Sequence, residues 1–365
     1  MTPDNWPIGA PIEELDTPAL LLDIDAAQRN IDKLADFFVD KACKLRPHFK
    51  NHKCTTLMRR QLAREAVGVT CAKVGEAEVC VQAGLQDVLI ANQVVGARKI
   101  ERLLRLVPHA TVRVAVDCED NCRQLSELAD RAGHTLGCLI EVEVGMKRCG
   151  VPPGEPALEL ARLIDGLPGL RFDGLQGFEG HSVLIQDDAE RNQITFASMS
   201  QLVDTGRYIE QAGIAVPIIS GGGTGTHDVT GTLEGMTEMQ AGTYVTMDWR
   251  YKETRPEFEI ALSVLATCIS AMAPERAVLD VGVKGVGAEF GPPIVRDRPD
   301  IDISFFLSEE HGFLNVNGEP LKVGQKVQLI PSHACTTCNL HRELYIHQDG
   351  RVTDVWPIEG SGKLQ

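Results

Sequence analysis

Residues 87–117 read DVLIANQVVGARKIERLLRLVPHATVRVAVD. A short apolar run (87–93) gives way to a stretch with apolar residues at helical spacing (97–107), and a second β-like run follows (111–117). Strand–helix–strand within about thirty residues is the unit of a parallel sheet covered by helices. The same alternation extends both ways. ALLLDID (19–25) precedes the helical AAQRNIDKLADFF, and KLRPHFK (44–50) precedes TTLMRRQLAREA. GVTCAK, GCLIEVEVG, LRFDGLQGFEG and VPIISGGGTGT mark further strands, each but the last with a helical partner behind it. About eight units between residues 15 and 250 fit a closed (β/α)8 barrel, with an open doubly wound sheet as the competing arrangement.

After Met247 the texture changes. FEIALSVLATCISA, RAVLDVGVK, KVQLIPSHACTTC and ELYIHQDGRVTDVWPI are β-like runs parted by Gly, Pro and Asn-Gly turns. The expected organisation is therefore an α/β barrel over 15–250 and a separate, mostly-β domain over 251–365, to which 1–14 is a candidate addition.

Composition removes several classes. With 43% hydrophobic and 24% charged residues the chain is globular, and no apolar run reaches the length of a membrane span. A net charge of −15 opposes binding to nucleic acid, whose affinity rests on neutralising phosphates. The acidic, proline-rich start MTPDNWPIGAPIEELDTP has no secretory character. Eleven scattered cysteines read as reduced core thiols of a cytoplasmic protein. Cys335 and Cys338 form a lone C-x-x-C without the second half that a zinc knuckle needs.

Three stretches carry chemistry. LRPHFKNHKC (45–54) puts Lys50 at the C-terminal end of the second expected strand, where barrel active sites lie. Burial and the neighbours His48, His52 and Lys53 would help to supply a neutral amine, although these ten residues alone favour a solvated basic strand end. SGGGTGT (220–226) ends the eighth unit, and consecutive glycines admit an anion, usually a phosphate, to the backbone N–H groups. PSHACTTCNLH carries His333 and Cys335 two residues apart, on one face if the segment is a strand. That pair would suit Zn²⁺ in an open site, or would be a core cysteine beside a satisfied histidine.

Together, RPHFKNHK, EVGMKRCGV (143–151), SGGGTGT, EMQAGTYVTMD and the late SHAC resemble the fold-type III pyridoxal-phosphate enzymes. The group in question is that of D-threonine aldolase, 3-hydroxy-D-aspartate aldolase and D-serine dehydratase. The resemblance covers residues 15 to 360. It implies an alanine-racemase-like barrel with a C-terminal β domain, a homodimer, and a D-amino acid substrate. By the same resemblance Lys50 carries pyridoxal 5′-phosphate and Arg148 stands near its ring. Gln176 and Tyr244 border the cofactor, and Gly222, Gly223, Thr224 and Gly225 hold its phosphate. His333 and Cys335 hold a divalent metal, Zn²⁺ or the harder Mn²⁺ or Mg²⁺.

The motifs divide on the reaction. KRCGV, GGGTGT and EMQAG are similar to the aldolases, which release glycine and an aldehyde. His-x-Cys at 333–335 and the GHS of GLQGFEGHSVLIQ (174–186) are closer to the dehydratases, which release a 2-oxo acid and ammonia. Leu184 stands where the aldolases carry a histidine for the β-hydroxyl proton, and His181, three residues earlier, offers the imidazole instead. The expectation is aldol cleavage, with dehydration second; a racemase or a non-catalytic pyridoxal-phosphate protein is more remote, the last because such proteins lack the β domain.

Overall fold

A computed structural model describes residues 7–304 and 308–365. The expected 1–14 segment is thus described only from residue 7. The chain divides into two compact units: Met1–Asp32, Asn51–Thr56 and Thr243–Gly362 form one, and Lys33–Lys50, Leu57–Gly242 and Lys363–Gln365 the other.

The second unit is built on eight parallel strands. Their order is Lys44–Leu45, Glu238–Met239, Ile218–Gly221, Leu170–Gly177, Leu136–Glu141, Thr111–Val116, Asp87–Gln93 and Val69–Cys71. The sheet curls until its two edge segments meet at a parallel bridge between His48 and Thr70, with the Thr70 N–H on the Pro47 carbonyl. Leu136–Glu141 is buried along its whole length, as a strand covered on both faces requires. Helices such as Ala97–Leu104, Glu119–Arg131 and Glu155–Gly166 supply the cover through their apolar faces.

Charge, not carbon, fills part of the strand starts. Arg46, 2% exposed, forks onto Glu238 at 2.8 and 2.7 Å and reaches Asp87 at 2.5 Å. Arg113 bridges Asp87 and Asp173, and Arg171 completes the network on Asp173.

The other unit is a nine-stranded mixed sheet. Its spine runs Ile301–Ile303, Gly312–Val316, Arg276–Leu279, Leu262–Ala273, Ala19–Asp23, Glu343–Gln348 and Arg351–Pro357, with Lys326–Ile330 and Ile294–Val295 branching from it. The last two strands of the spine form a hairpin across Asp349-Gly350, whose φ values of +48° and +73° are those of a tight turn with matching twist. Ile12, Leu15, Ala19, Leu21, Leu265, Val352 and Val355 make one apolar cluster of this unit.

Two expectations change. ALLLDID does not open the barrel: Ala19–Asp23 lies between Leu262–Ala273 (antiparallel) and Glu343–Gln348 (parallel). Its unbroken apolar run signals burial on both faces, and either sheet satisfies that. Lys50 therefore follows the first barrel strand rather than the second, SGGGTGT follows the seventh, and the eighth is Glu238–Met239. PSHACTTC is likewise no continuous strand. His333 is extended (φ −148°, ψ 117°) and Ala334–Leu340 is a helix, so His333 and Cys335 straddle a strand-to-helix turn.

Candidate active site

In the barrel unit three of the expected cofactor residues, Lys50, Arg148 and Gly223, gather around a side chain that the sequence did not single out. The Phe178 ring has Lys50 Nζ 6.0 Å from its centroid and Arg148 Cζ 5.5 Å away. A Cβ on Gly223 would stand 3.4 Å from the same ring, and one on Gly180 would collide with it at 2.4 Å. Lysine, arginine and glycine loop thus share one aromatic surface, just past the C-terminal end of Leu170–Gly177.

Arg148 is anchored from behind. Its guanidinium lies 3.5 Å from the buried Glu141 carboxylate, which also receives the side-chain amides of Gln93 at 2.7 Å and Gln176 at 3.3 Å. Gln93 continues to Asp117, which accepts the Gly150 N–H at 3.1 Å. Gln176 is 4% exposed, and its Oε1 has no hydrogen-bond partner among the described residues. A buried amide oxygen left without a donor is costly, so the site is shaped for a guest that supplies one.

Two positions in the loop after Ile218–Gly221 need glycine for steric reasons. Gly222 has φ +76° and a Cβ there would strike the Met239 sulfur at 2.3 Å; at Gly225 it would meet the Val183 carbonyl at 2.2 Å. Thr224–Thr226 forms a single 3₁₀ turn. Beneath it lies Glu179, fully buried, whose Oε1 accepts the hydroxyls of Thr226 (2.6 Å) and Thr230 (2.7 Å). Burial pushes this carboxyl above its usual range, opposed by those two hydroxyls and the Gly222 N–H. An orphaned amide oxygen, a loop that excludes a Cβ at Gly222 and Gly225, and an amine and a guanidinium over one ring fit pyridoxal phosphate.

His181 is exposed, with Nε2 3.3 Å from Ser198 Oγ, and it packs on Gly145, where a Cβ would touch the ring at 2.7 Å. The adjoining Glu143 carboxylate is held below its ordinary range by the Lys147 N–H first, burial opposing, and then by the Gly145 N–H and His181.

The β-rich unit holds the remaining residues. His333 and Cys335 are hydrogen-bonded to each other. Burial works against charge on His333, but the Cys335 thiolate, Glu289 and Asp248 outweigh it and raise the imidazole to about 10. Cys335 Sγ receives the Asn51 amide at 3.6 Å, and Asn51 Oδ1 takes the Thr246 hydroxyl at 2.8 Å. Among the described residues no group of three or more His, Cys, Asp or Glu is placed to hold a metal. The imidazole–thiolate pair therefore fits a metal only as an open site completed by water or substrate. Tyr244 is fully buried and packs on Phe258, with ring centroids 6.1 Å apart. The neighbours expected to tune Lys50 have work within this unit: Lys53 Nζ donates to Asn339 at 2.7 Å, and His52 Nδ1 accepts the Cys54 N–H at 3.1 Å.

Residues 22–248 match the family model of the alanine racemase N-terminal domain, and 261–347 match a putative serine dehydratase domain. A D-threonine aldolase of Arthrobacter sp is 37% identical over 97% of this chain and 95% of its own length. A 3-hydroxy-D-aspartate aldolase of Paracoccus denitrificans is 35% identical over 96% of this chain and 93% of its own length. The crystal structure of D-threonine aldolase from Filomicrobium marinum superposes with a TM-score of 0.95 at 37% identity, covering 98% and 99% of the two chains. A D-threo-3-hydroxyaspartate dehydratase of Delftia sp. is more distant, at 28% identity over 88% of this chain and 92% of its own length. The chain belongs to the alanine-racemase-like pyridoxal-phosphate enzymes, in the branch that includes D-threonine aldolase and 3-hydroxy-D-aspartate aldolase.

Proposed function

We propose that this protein is a lyase that cleaves D-β-hydroxy-α-amino acids to glycine and an aldehyde. The observation that carries the reading is the grouping of Lys50, Arg148 and Gly223 about Phe178, with the orphaned Gln176 Oε1 nearby in sequence. Bound pyridoxal phosphate supplies a sink for the electron pair released at Cα. Lys50 holds the cofactor by its amine, while Gly222, Gly223, Thr224 and Gly225 hold its phosphate. Arg148, backed by Glu141, keeps a fixed positive charge at the ring. His181 accepts the β-hydroxyl proton as the Cα–Cβ bond breaks. His333 and Cys335 would hold a divalent cation, which lowers the pKa of a bound hydroxyl.

The thiolate favours Zn²⁺ over harder ions. A D-threo-3-hydroxyaspartate dehydratase has a cysteine-to-alanine mutant described in a metal-free form, which supports a cysteine ligand. The same His-x-Cys pair favours the second reading, dehydration, with Lys50 taking the Cα proton. The resemblance also leads us to propose a homodimer, and the scattered unpaired cysteines a cytoplasmic one; no described helix is long and apolar enough to cross a membrane.

Incubation of the purified protein with D-threonine, pyridoxal phosphate and divalent metal is the test. Glycine with acetaldehyde is expected; 2-oxobutanoate with ammonia overturns the aldolase assignment in favour of the dehydratase. Near-visible absorption that Lys50→Ala abolishes is expected of the cofactor site, and a protein colourless with added cofactor removes the whole reading.

A further inference from the structure

His333 is held on more sides than a bare ligand pair requires. Its Nδ1 lies 2.6 Å from Glu289 Oε1, across 44 residues of sequence. Thr336, one turn into the following helix, donates its hydroxyl to the same oxygen. Phe290 stacks on the imidazole, with centroids 4.8 Å apart and planes 30° from parallel. The loop that carries Glu289 and Phe290 is fastened in turn, the Gly287 N–H donating to Thr337 Oγ1 at 3.1 Å. That loop has little slack: a Cβ on Gly287 would sit 3.0 Å from Glu289 Oε2 and 3.1 Å from Thr336 Cβ. On the far side, Asp248 Oδ2 accepts the Ala334 N–H at 3.0 Å and fixes the backbone next to the imidazole.

An imidazole gives a metal one nitrogen, and the hydrogen bond at the other selects the tautomer and sets the ring's direction. Here the bond to carboxylate is made by Nδ1, which leaves Nε2 as the donor nitrogen. The stack on Phe290 removes the remaining freedom, rotation about the Cβ–ring bond. We propose that Glu289 is the positioning residue of the metal pair. Braced by Thr336, it locks His333 with Nδ1 protonated and Nε2 presented, beside Cys335, to a divalent cation. The inference rests on the metal role proposed above for His333 and Cys335, and adds to it a residue that neither the cofactor motifs nor the His-x-Cys spacing contains.

The experiment measures Zn²⁺ affinity of the full-length, cofactor-loaded enzyme by competition with a chromophoric chelator, together with thermal midpoints in EDTA. His333→Ala, Glu289→Ala and Glu289→Gln are compared with wild type. Glu289→Ala is expected to weaken Zn²⁺ about 10–100-fold, the usual effect of losing a ligand's outer partner, at an unchanged midpoint in EDTA. Glu289→Gln retains an oxygen acceptor for Nδ1–H and is expected to recover most of the loss, which a merely structural role would not predict. Glu289→Ala equal to wild type while His333→Ala loses the metal, or a Gln variant as weak as the Ala one, overturns the role of Glu289. His333→Ala binding Zn²⁺ as wild type does overturns the metal pair itself, and the inference with it.

Discussion

Glu179 and Thr226 are joined at 2.6 Å through a carboxylate oxygen that also takes the Thr230 hydroxyl at 2.7 Å. The turn that follows the glycines is thus pinned by a residue from the end of a neighbouring strand. Replacing Glu179 by Ala strands the buried Thr230 hydroxyl, a loss of about 1–3 kcal/mol when left unmet, and leaves the Thr226 hydroxyl only its longer bond to the Gly223 carbonyl. The expected result is a lower urea midpoint for Glu179→Ala and weaker retention of pyridoxal phosphate in dialysis. Unchanged values for both would show that the turn stands without its brace.

A pH dependence follows from Asp248. Burial pushes its carboxyl up from 3.8 to about 6, in spite of the N–H groups of Tyr251 and Ala334 that favour its charged form. Because the folded value lies above the unfolded one, the contribution of Asp248 is complete below about pH 4. It is lost as pH rises through 6. The loss is roughly 3 kcal/mol for a shift of about two units. Asp248→Asn does not titrate, so its stability relative to wild type is expected to rise across pH 4–6. Urea unfolding of both proteins at intervals through that window checks it, and a constant difference would rule out Asp248 as the titrating group.

The buried guanidinium of Arg46 sets a third expectation. Arg46→Met leaves Glu238 without its forked partner in a site only 9% exposed at the side chain. An uncompensated buried carboxylate costs about 3–5 kcal/mol. The double variant Arg46→Met with Glu238→Leu removes the orphan as well and is expected to recover much of that loss. A double variant no better than the single one would mean that the ion network, rather than its broken half, carries the stability.

Thiol accessibility gives the fourth. Of the eleven cysteines Cys118 is exposed, Cys149 and Cys335 are half-buried, and the others are buried. Burial, above all, pushes Cys43 and Cys122 up to about 12, so their thiolates are scarce at neutral pH. A chromogenic disulfide reagent is expected to show fast reaction at Cys118, which Cys118→Ser removes, and at the imidazole-paired Cys335 when no divalent cation covers it, with the buried thiols slow. Rapid reaction of many thiols in the native protein would contradict this burial.

What could be read from the sequence follows from the range of each signal. Period and apolar runs are local, so the strands and helices of 69–211 were visible, and so was the change of texture after Met247. Which sheet a strand joins is not local, and Ala19–Asp23 is buried equally well in either. Two-residue strands such as Glu238–Met239 carry almost no pattern at all. In the site, Lys50 and the 220–226 loop announced themselves by dense chemistry in few residues. Phe178, Glu141, Glu179 and Glu289 did not, because each is one ordinary side chain whose role appears only when distant segments meet. His333 and Cys335 were named as a pair, but by strand geometry that the turn into Ala334–Leu340 replaces.

The segment Asn51–Thr56 is fastened at alternate residues. Asn51 is held by Thr246, Lys53 by Asn339 through its ammonium and by the Gly360 N–H through its carbonyl, and Thr55 by Glu359 through both its N–H and its hydroxyl. Lys50 is bonded covalently to the first of these residues, and the Phe49 N–H is already spent on the Thr70 carbonyl. Amide exchange at Phe49, Cys54 and Thr55, whose N–H groups have acceptors, should be slow. The main chain at Lys50 is therefore an immobile post, and whatever travel its amine makes during a catalytic cycle must come from the four methylene groups of its own side chain.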